Sequence, residues 1–213
     1  MKIGILGSGS VAQTLAAGLM DCGHELMLGT RDPVRLQTWL AAHPKAVAGT
    51  LADAARFGDV LILAVTGTAA LDALHLVGAA ATAGKVVIDA TNPIAPVPPQ
   101  RGVLSYYTRL DDSQMERLQR EFPESYFVKA FNSVSTAVMV RPAFEAGRPT
   151  MFICGNDDAA KQVVSGLLDQ LGWAAEDMGG VEAARAIEPL CMLMVIPGML
   201  RNEWRLALRV LRC

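Results

Sequence analysis

Short, fully apolar runs alternate along the chain with longer segments whose apolar residues recur at helical spacing. Val60–Val65 is the clearest apolar run, and its lack of polar side chains is typical of a strand buried on both faces of a parallel sheet. Helical segments follow most of the runs. Val11–Cys22, for example, ends before Gly23, a residue type that commonly terminates helices. This repeated order predicts an α/β fold with a doubly wound parallel sheet.

The same periodicity predicts the bounds of the elements. The predicted strands are Lys2–Leu6, Glu25–Leu28, a short strand at Val47, Val60–Val65, Lys85–Asp89, Tyr126–Lys129, Pro149–Cys154 and Gly172–Glu176. The predicted helices are Val11–Cys22, Pro33–Ala42, Ala52–Phe57, Ala69–Ala80, Asp112–Glu121, Asp157–Leu171 and the chain from Val181 to its end. The last two strands are expected to extend the sheet. No linker divides the chain, so we predict a single domain over residues 1–213, with 181–213 as a helical C-terminal extension.

A glycine-rich turn joins the first strand to the first helix. It carries the G-x-G-x-x-G/A spacing of dinucleotide-binding folds, and its residues are Gly7, Ser8, Gly9, Ser10, Val11 and Ala12. Gly7 permits a tight turn, Gly9 lets the backbone approach a pyrophosphate, and Ala12 allows the helix to pack closely on the strand. The free N–H groups of the helix N-terminus favour phosphate binding. The motif therefore predicts an NAD(P)-binding Rossmann fold.

The residues after the second strand predict which dinucleotide binds. An NAD site usually has an acidic residue here to bind the ribose 2′-hydroxyl, but the strand ends at Gly29 and Thr30. Arg31 can stack on adenine or bind a 2′-phosphate, and Arg35 lies one helical turn further on. Asp32 is expected to cap the helix that begins at Pro33. We therefore predict NADP, held by Thr30, Arg31 and Arg35.

Ligands of open parallel sheets bind beyond the carboxyl ends of the strands. Three segments of this chain are expected to meet there, and their candidate cofactor-binding residues are Val65, Thr66, Asn92, Pro93, Phe131 and Asn132. None of them is a clear acid or base. His24, His43 and His75 lie in unsuitable places, while Lys129, Tyr106 and Tyr107 are candidates without a defined orientation. We therefore assign no catalytic residue. This absence favours an acceptor that manages its own protons, such as a flavin or deazaflavin ring.

Composition narrows the class of partner. The chain has 213 residues, 52% of them hydrophobic, and a net charge of −2 with a pI near 5.9, so nothing favours nucleic-acid binding. The four cysteines have neither zinc-site spacing nor the density of a disulfide framework. We expect no metal site and a location in the reducing cytoplasm.

The C-terminal segment is unusually apolar. Its run from Ile187 to Leu200 is about 14 residues long, contains Pro189 and Pro197, and is shorter than the roughly 20 residues of a membrane span. We predict no membrane span. The wider segment, Arg185–Leu211, is rich in Met and Leu, which suits a shared surface, and we expect a homodimer through this helix.

These motifs together resemble the NADP-dependent deazaflavin (coenzyme F-420) reductase family, which is related to the NADPH-binding domain of the STEAP metalloreductases. The resemblance extends along nearly the whole chain and rests on segments 5–12, 29–33, 89–93, 128–133, 152–157 and 183–189. It implies that Thr30, Arg31 and Arg35 hold the 2′-phosphate and that Ser8, Ser10 and Val11 lie on the loop that binds the pyrophosphate. It also implies that the acceptor cleft forms after Asn92 and around Phe131–Asn132.

The expected activity is hydride transfer between NADP(H) and a flavin- or deazaflavin-type acceptor. Two alternatives remain open at this point. One is an NADPH-dependent reductase of a small carbonyl or imine, which needs a proton donor such as Tyr106, Tyr107 or Lys129. The other is a non-catalytic module that senses NADP(H).

Overall fold

Strands and helices alternate through most of the chain in the computed structural model, which describes residues 1–213. The strands are β1 (Lys2–Leu6), β2 (Glu25–Gly29), β3 (Val47–Gly49), β4 (Val60–Leu63), β5 (Val86–Asp89), β6 (Tyr126–Lys129), β7 (Thr150–Ile153) and β8 (Ala174–Asp177). The α-helices are α1 (Ser10–Asp21), α2 (Gln37–Ala42), α3 (Leu51–Phe57), α4 (Ala70–Val77), α5 (Ala79–Thr82), α6 (Gln114–Glu121), α7 (Asp158–Gln170), α8 (Ala184–Ile187) and α9 (Leu190–Arg201). Short 3₁₀ turns precede α2, α4 and α8.

Six parallel strands form the main sheet in the order β3-β2-β1-β4-β5-β6. The order reverses between β1 and β4, which makes this the switch point where such sheets bind ligands. The register aligns the last residues of five strands: Leu6 pairs with Gly29 and Leu63, Leu63 pairs with Asp89, and Asp89 pairs with Lys129. The carboxyl ends of the strands thus meet at one edge, and the predicted doubly wound Rossmann fold is confirmed.

The last two strands form a separate parallel ladder rather than extending the sheet. The ladder contacts β6 through a single antiparallel bridge, in which the Lys129 N–H donates to Cys154 O over 3.0 Å. Because β6 and β7 meet only where each strand ends, no continuous pairing forms between them. The expectation that these strands extend the sheet is therefore corrected.

Helices cover both faces of the main sheet. On one face, α1 and α7 pack on residues such as Ile3 and Ile62, and on the other, α3, α4 and α6 pack on residues such as Leu61 and Leu63. Both faces of β4 are therefore buried, which explains its wholly apolar sequence. The approach of α3 to β1 is close: a Cβ on Gly4 would lie 2.0 Å from Ala54 O.

The C-terminal helical region ends earlier than predicted. Asn202 adopts a left-handed conformation, with φ of 56°, and terminates α9. The chain then runs beside β7, where the Thr150 N–H donates to Leu208 O and the Val210 N–H donates to Thr150 Oγ1. These bonds hold Leu208 and Val210 beside Thr150 at the start of β7. Residues 202–213 are not helical, so the prediction of a helix to the chain end is wrong for them.

The prolines do not interrupt the apolar helical region. Pro189 occupies the N-cap of α9 and Pro197 lies inside it, so the helical stretch Val181–Arg201 is 21 residues long. By length and composition alone this stretch could cross a membrane. Core helices of water-soluble proteins meet the same criterion, and 33% of an apolar 18-residue segment within this stretch is buried in the protein. The argument that the apolar segment is too short to span a membrane is therefore wrong. That the protein does not span a membrane stays a prediction.

Candidate functional site

A cavity of about 590 Å³ opens at the carboxyl edge of the sheet, beside the switch point. It is lined by most of the residues that the sequence assigns to the cofactor: Gly7, Ser8, Gly9, Ser10, Val11, Thr30, Arg31, Arg35, Val65 and Thr66. Ala12 is fully buried behind the turn, in the position expected of a packing residue. The remaining candidates, Asn92, Pro93, Phe131 and Asn132, do not line this cavity.

The glycine turn leaves an open anion-binding end on α1. Gly7 has φ of 143°, and a Cβ there would lie 2.3 Å from Ala64 O, so no other residue fits without displacement. Gly9 is the N-cap of α1, and a Cβ on it would meet nothing within 4 Å. No side chain caps α1, whereas Thr50 caps α3 and Ser113 caps α6. The first N–H groups of α1 therefore remain free for an external anion.

The turn after β2 is tied to the glycine turn. The Thr30 hydroxyl lies 3.1 Å from Ser8 Oγ and accepts a hydrogen bond from the Asp32 N–H. Asp32 accepts a bond from the Val34 N–H, which confirms its predicted capping role. Asp32 also pairs with Arg35 Nε over 3.3 Å at the surface. Arg31 is the exposed arginine of this wall without such a pair.

One wall of the cavity was missed by the sequence analysis. It lies along α3 and α4, and its side chains are those of Leu51, Ala69, Asp72, Ala73 and Leu76. Leu76 is 62% exposed although it is large and apolar. The sequence predicts a helix over Ala69–Ala80, but its apolar spacing carries no signal that Leu76 faces a cavity and not the core.

A buried ion cluster lies beside the cavity at the ends of β5 and β6. Lys129 Nζ is 2.7 Å from Asp89 Oδ2, 2.9 Å from Glu188 Oε1 and 3.0 Å from Thr91 O. The side chains of Lys129 and Asp89 are 0% exposed and that of Glu188 is 1% exposed. The ammonium has three protons and three acceptors, so it has none to give to a substrate.

Both carboxylates of the cluster are fully supported by further donors. Asp89 Oδ1 accepts from the N–H and the hydroxyl of Thr91. Glu188 accepts from the N–H groups of Gln114 and Met115 at the N-terminus of α6, over 3.1 and 3.0 Å. Burial would lower the pKa of the Lys129 ammonium, but the charges of Asp89 and Glu188 outweigh it, and the pKa is raised above the usual lysine value.

A line of polar side chains leads from this cluster toward the surface. The Thr91 hydroxyl contacts the Gln114 amide, and the Gln114 amide contacts the Tyr107 hydroxyl. The guanidinium of Arg117 lies 5.9 Å from the centre of the Tyr107 ring. Burial is the main cause that raises the pKa of Tyr107 to about 12. The neighbouring Tyr106 hydroxyl donates to Glu188 O over 3.0 Å.

The two asparagines of the predicted acceptor cleft bind each other. Asn92 Nδ2 donates to Asn132 O, and Asn132 Nδ2 donates to Asn92 Oδ1 and to Ile187 O. Asn132 Oδ1 is the one buried side-chain polar atom without a hydrogen-bond partner. Phe131, which precedes it, has φ of 64°, a conformation that costs free energy in a non-glycine residue. An unpaired buried acceptor beside a strained residue is typical of a functional site.

The sequence analysis missed Asp89, Thr91, Gln114 and Glu188 as members of this site. The signal that could have found Asp89 and Lys129 is a charged residue at the end of an otherwise apolar strand. Glu188 carries a weaker signal, since it is the one acidic residue in the apolar run 187–200. Lys129 was considered as a proton donor, but its buried, saturated position opposes that role.

Comparison with known proteins gives consistent matches. Residues 2–93 match the profile of the family described as NADP oxidoreductase, coenzyme F420-dependent. The chain is 33% identical to a candidate F420-dependent NADP reductase from Arthrobacter sp. FB24, with a TM-score of 0.93 and coverage of 100% of both chains.

Two curated relatives match over different lengths. The F420-dependent NADP reductase of Methanocaldococcus jannaschii is 32% identical over 67% of this chain and 63% of its own length. The human metalloreductase STEAP2 is 30% identical over 89% of this chain but only 36% of its own length. The chain therefore spans about a third of that metalloreductase.

Replacing Lys129 with Met is expected to destabilise the fold strongly, because it leaves two buried carboxylates without a counter-charge. The expected cost is about 3–5 kcal/mol in the free energy of unfolding, measured by urea denaturation. The double variant Lys129→Met/Asp89→Asn should recover part of this loss. As a matched control, Arg56→Met breaks an exposed pair with Asp53 and should change stability little. If Lys129→Met lowers the free energy of unfolding no more than the control does, Lys129 does not have the stabilising role assigned to it.

Proposed function

Because this chain belongs to the family of NADP oxidoreductases described as coenzyme F420-dependent, we propose that it transfers a hydride between NADP(H) and a flavin- or deazaflavin-type acceptor. The observation that carries the proposal is the lack of a free proton donor at the sheet edge. Lys129, Tyr106 and Tyr107 all direct their protons to protein acceptors. A carbonyl or imine substrate needs a donor, whereas a flavin-type ring does not need one from the protein.

The residues of the cavity fit NADP. The uncapped N-terminus of α1 offers N–H groups to the pyrophosphate, with Gly7 and Gly9 giving it room to approach. Val65 and Thr66 form the wall at the end of β4, next to the position expected for the ribose. When bound, NADPH would supply the hydride that reduces the acceptor ring.

The 2′-phosphate is assigned to Arg31, Thr30 and Arg35. Arg31 is exposed at the cavity and makes no ion pair, so its guanidinium is available for a bidentate bond to phosphate. Arg35 already pairs with Asp32 and would have to share its charge. Arg31 is therefore expected to contribute more to the choice of NADP over NAD than Arg35.

The variant Arg31→Ala should weaken NADPH binding by about 10- to 100-fold, because a charge-assisted bond to the phosphate is lost. NADH binding should stay nearly unchanged. Arg35→Ala should have a smaller effect, and Arg148→Ala, whose arginine pairs with Asp169 away from the cavity, serves as the matched control. Titration calorimetry measures all four proteins. Equal losses for NADPH and NADH would refute the assignment of the 2′-phosphate.

Asn92, Pro93, Phe131 and Asn132 are proposed to form the nicotinamide and acceptor side of the site. The unpartnered Asn132 Oδ1 supports this, since a small shift of the Asn92–Asn132 pair would let it accept from a ligand N–H or O–H. The strained backbone at Phe131 lies where that shift would occur.

A panel assay tests the proposed reaction. NADPH oxidation is followed at 340 nm with riboflavin, a deazaflavin, a quinone and small carbonyl or imine compounds. We expect turnover with the flavin-type rings and little with the carbonyls and imines. Turnover confined to carbonyls or imines would contradict the proposal. Tight NADPH binding with no turnover on any acceptor would indicate a sensing module instead.

We further propose that the protein is a cytoplasmic homodimer that associates through α9 and does not span a membrane. The outer side of α9 is apolar and open: Leu193 is 54% exposed, Met199 46% and Leu200 56%. A second copy of the same face would cover these side chains. The four cysteines are all free thiols, which suits a reducing compartment.

Sedimentation velocity at micromolar concentration, without detergent, tests the dimer. The wild-type chain should sediment as a dimer, and Leu193→Glu/Leu200→Glu should shift it to a monomer because two charges would be buried in the interface. Val34→Glu changes an apolar residue that is 67% exposed in the 3₁₀ turn before α2, and it should leave the mass unchanged. A monomeric wild type contradicts the proposal, and a wild type that requires detergent to stay in solution would favour a membrane-bound α9.

A further inference from the structure

The hydrogen bonds that lead from the ion cluster to Tyr107 have a fixed direction. Asp89 is ionised, since Lys129 Nζ lies 2.7 Å from its Oδ2. A carboxylate can only accept hydrogen bonds. The Thr91 hydroxyl, 2.6 Å from Asp89 Oδ1, must therefore donate its single proton to Asp89.

The same logic extends outward through Gln114. Because the Thr91 hydroxyl has no proton left, its oxygen can only accept from the amide NH₂ of Gln114. The amide carbonyl then faces Tyr107 and must receive the phenolic proton. Burial raises the pKa of Tyr107 to about 12, so the phenol keeps that proton at neutral pH. The Tyr107 oxygen is left with lone pairs alone to offer a ligand.

Tyr107 lies at the edge of the proposed acceptor cleft. Its N–H donates to Pro93 O over 3.0 Å, which places it beside the segment that follows β5. Gln114, which accepts the Tyr107 proton, lies against Gly67: a Cβ atom built on Gly67 would be only 2.7 Å from Gln114 Oε1. Gly67 directly follows Thr66 of the cavity wall. The phenol is thus held between the loops that follow β4 and β5.

We propose that Tyr107 is a specificity-determining residue, whose phenolic oxygen accepts a hydrogen bond from a ring N–H of the acceptor, and that Thr91 and Gln114 fix it in this polarity. The inference rests on the proposed function, because it concerns the acceptor of that reaction. The imide N–H of a flavin or deazaflavin ring is a donor of the required kind. A carbonyl oxygen would meet a second acceptor in Tyr107 and be repelled.

The experiment compares two probes that differ in one proton. Riboflavin has the imide N–H, and N3-methylriboflavin lacks it. Binding of each to the enzyme saturated with NADP⁺ is measured by quenching of flavin fluorescence, which needs no turnover. The wild type should bind riboflavin about 5- to 10-fold more tightly than the methylated probe, as expected for one hydrogen bond.

Tyr107→Phe should bind both probes equally, at the weaker affinity. A purely steric effect of the methyl group would persist in this variant, because the phenylalanine ring occupies the same place. Tyr126→Phe, which removes a phenol from an exposed site at the start of β6, is the matched control and should keep the wild-type preference.

Thr91→Val tests the positioning role. With no hydroxyl to direct it, the Gln114 amide can turn over and Tyr107 can donate, so the preference for riboflavin should fall to less than 2-fold. Urea denaturation and NADPH affinity establish that this variant is folded. Should Thr91→Val fail to fold, Gln114→Leu gives the same test, because Gln114 is the next residue in the series of hydrogen bonds that ends at Tyr107.

The outcomes separate the two proposals. If the enzyme prefers riboflavin as expected but no flavin supports NADPH oxidation, the proposed reaction is refuted and the role of Tyr107 is upheld. Turnover with flavins but equal binding of both probes by the wild type would uphold the reaction and overturn the role of Tyr107. A preference that persists in Tyr107→Phe, or no riboflavin binding at all, also overturns it.

Discussion

The structure of the carboxyl edge depends on the burial of one ammonium group. Lys129 ends β6 inside the protein, and a buried charge is tolerated only when it is paired and hydrogen-bonded. Asp89 comes from the neighbouring strand, while Glu188 comes from the C-terminal region and also caps α6. The requirement to satisfy one charge therefore holds β5, β6, α6 and the start of the C-terminal helices at fixed positions around the proposed acceptor side of the site.

The fixed charges also set the direction of hydrogen bonds some distance from the cluster. An ionised Asp89 orients Thr91, Thr91 orients Gln114, and Gln114 orients the Tyr107 proton. A low-dielectric interior makes such chains cooperative, because each link is polarised by the one before it. The glycine turn on the other side of the switch point works differently, since there the free backbone N–H groups of α1 present donors. In the proposed function, the N–H groups of α1 would serve as donors for the phosphates and the Tyr107 oxygen as an acceptor for the ring.

Local patterns were enough to predict the sheet and the glycine turn at its switch point. The wholly apolar β4 and the spacing of Gly7 and Gly9 depend on residues close in sequence, and both predictions are confirmed by the fold. The ion cluster could not be predicted in this way, because Gln114 and Glu188 are 74 residues apart and meet only through tertiary packing. The end of α9 at Asn202 was missed for a related reason: the segment after it contains many apolar residues, but Leu208 and Val210 bond to the distant Thr150 at the start of β7.

The distribution of donors and acceptors connects the fold to its proposed chemistry. At the edge where β5 and β6 end, the protons of Lys129, Tyr106 and Tyr107 are all committed to protein oxygens, while Asn132 Oδ1 and the Tyr107 oxygen keep unused lone pairs. A general acid cannot arise there without breaking a bond to a buried partner, which is costly. The proposed flavin-type acceptor, which takes a hydride and offers a ring N–H, would match these unused groups. The lack of a free proton donor at this edge thus follows largely from the buried charge of Lys129 and from the hydrogen bonds that surround it.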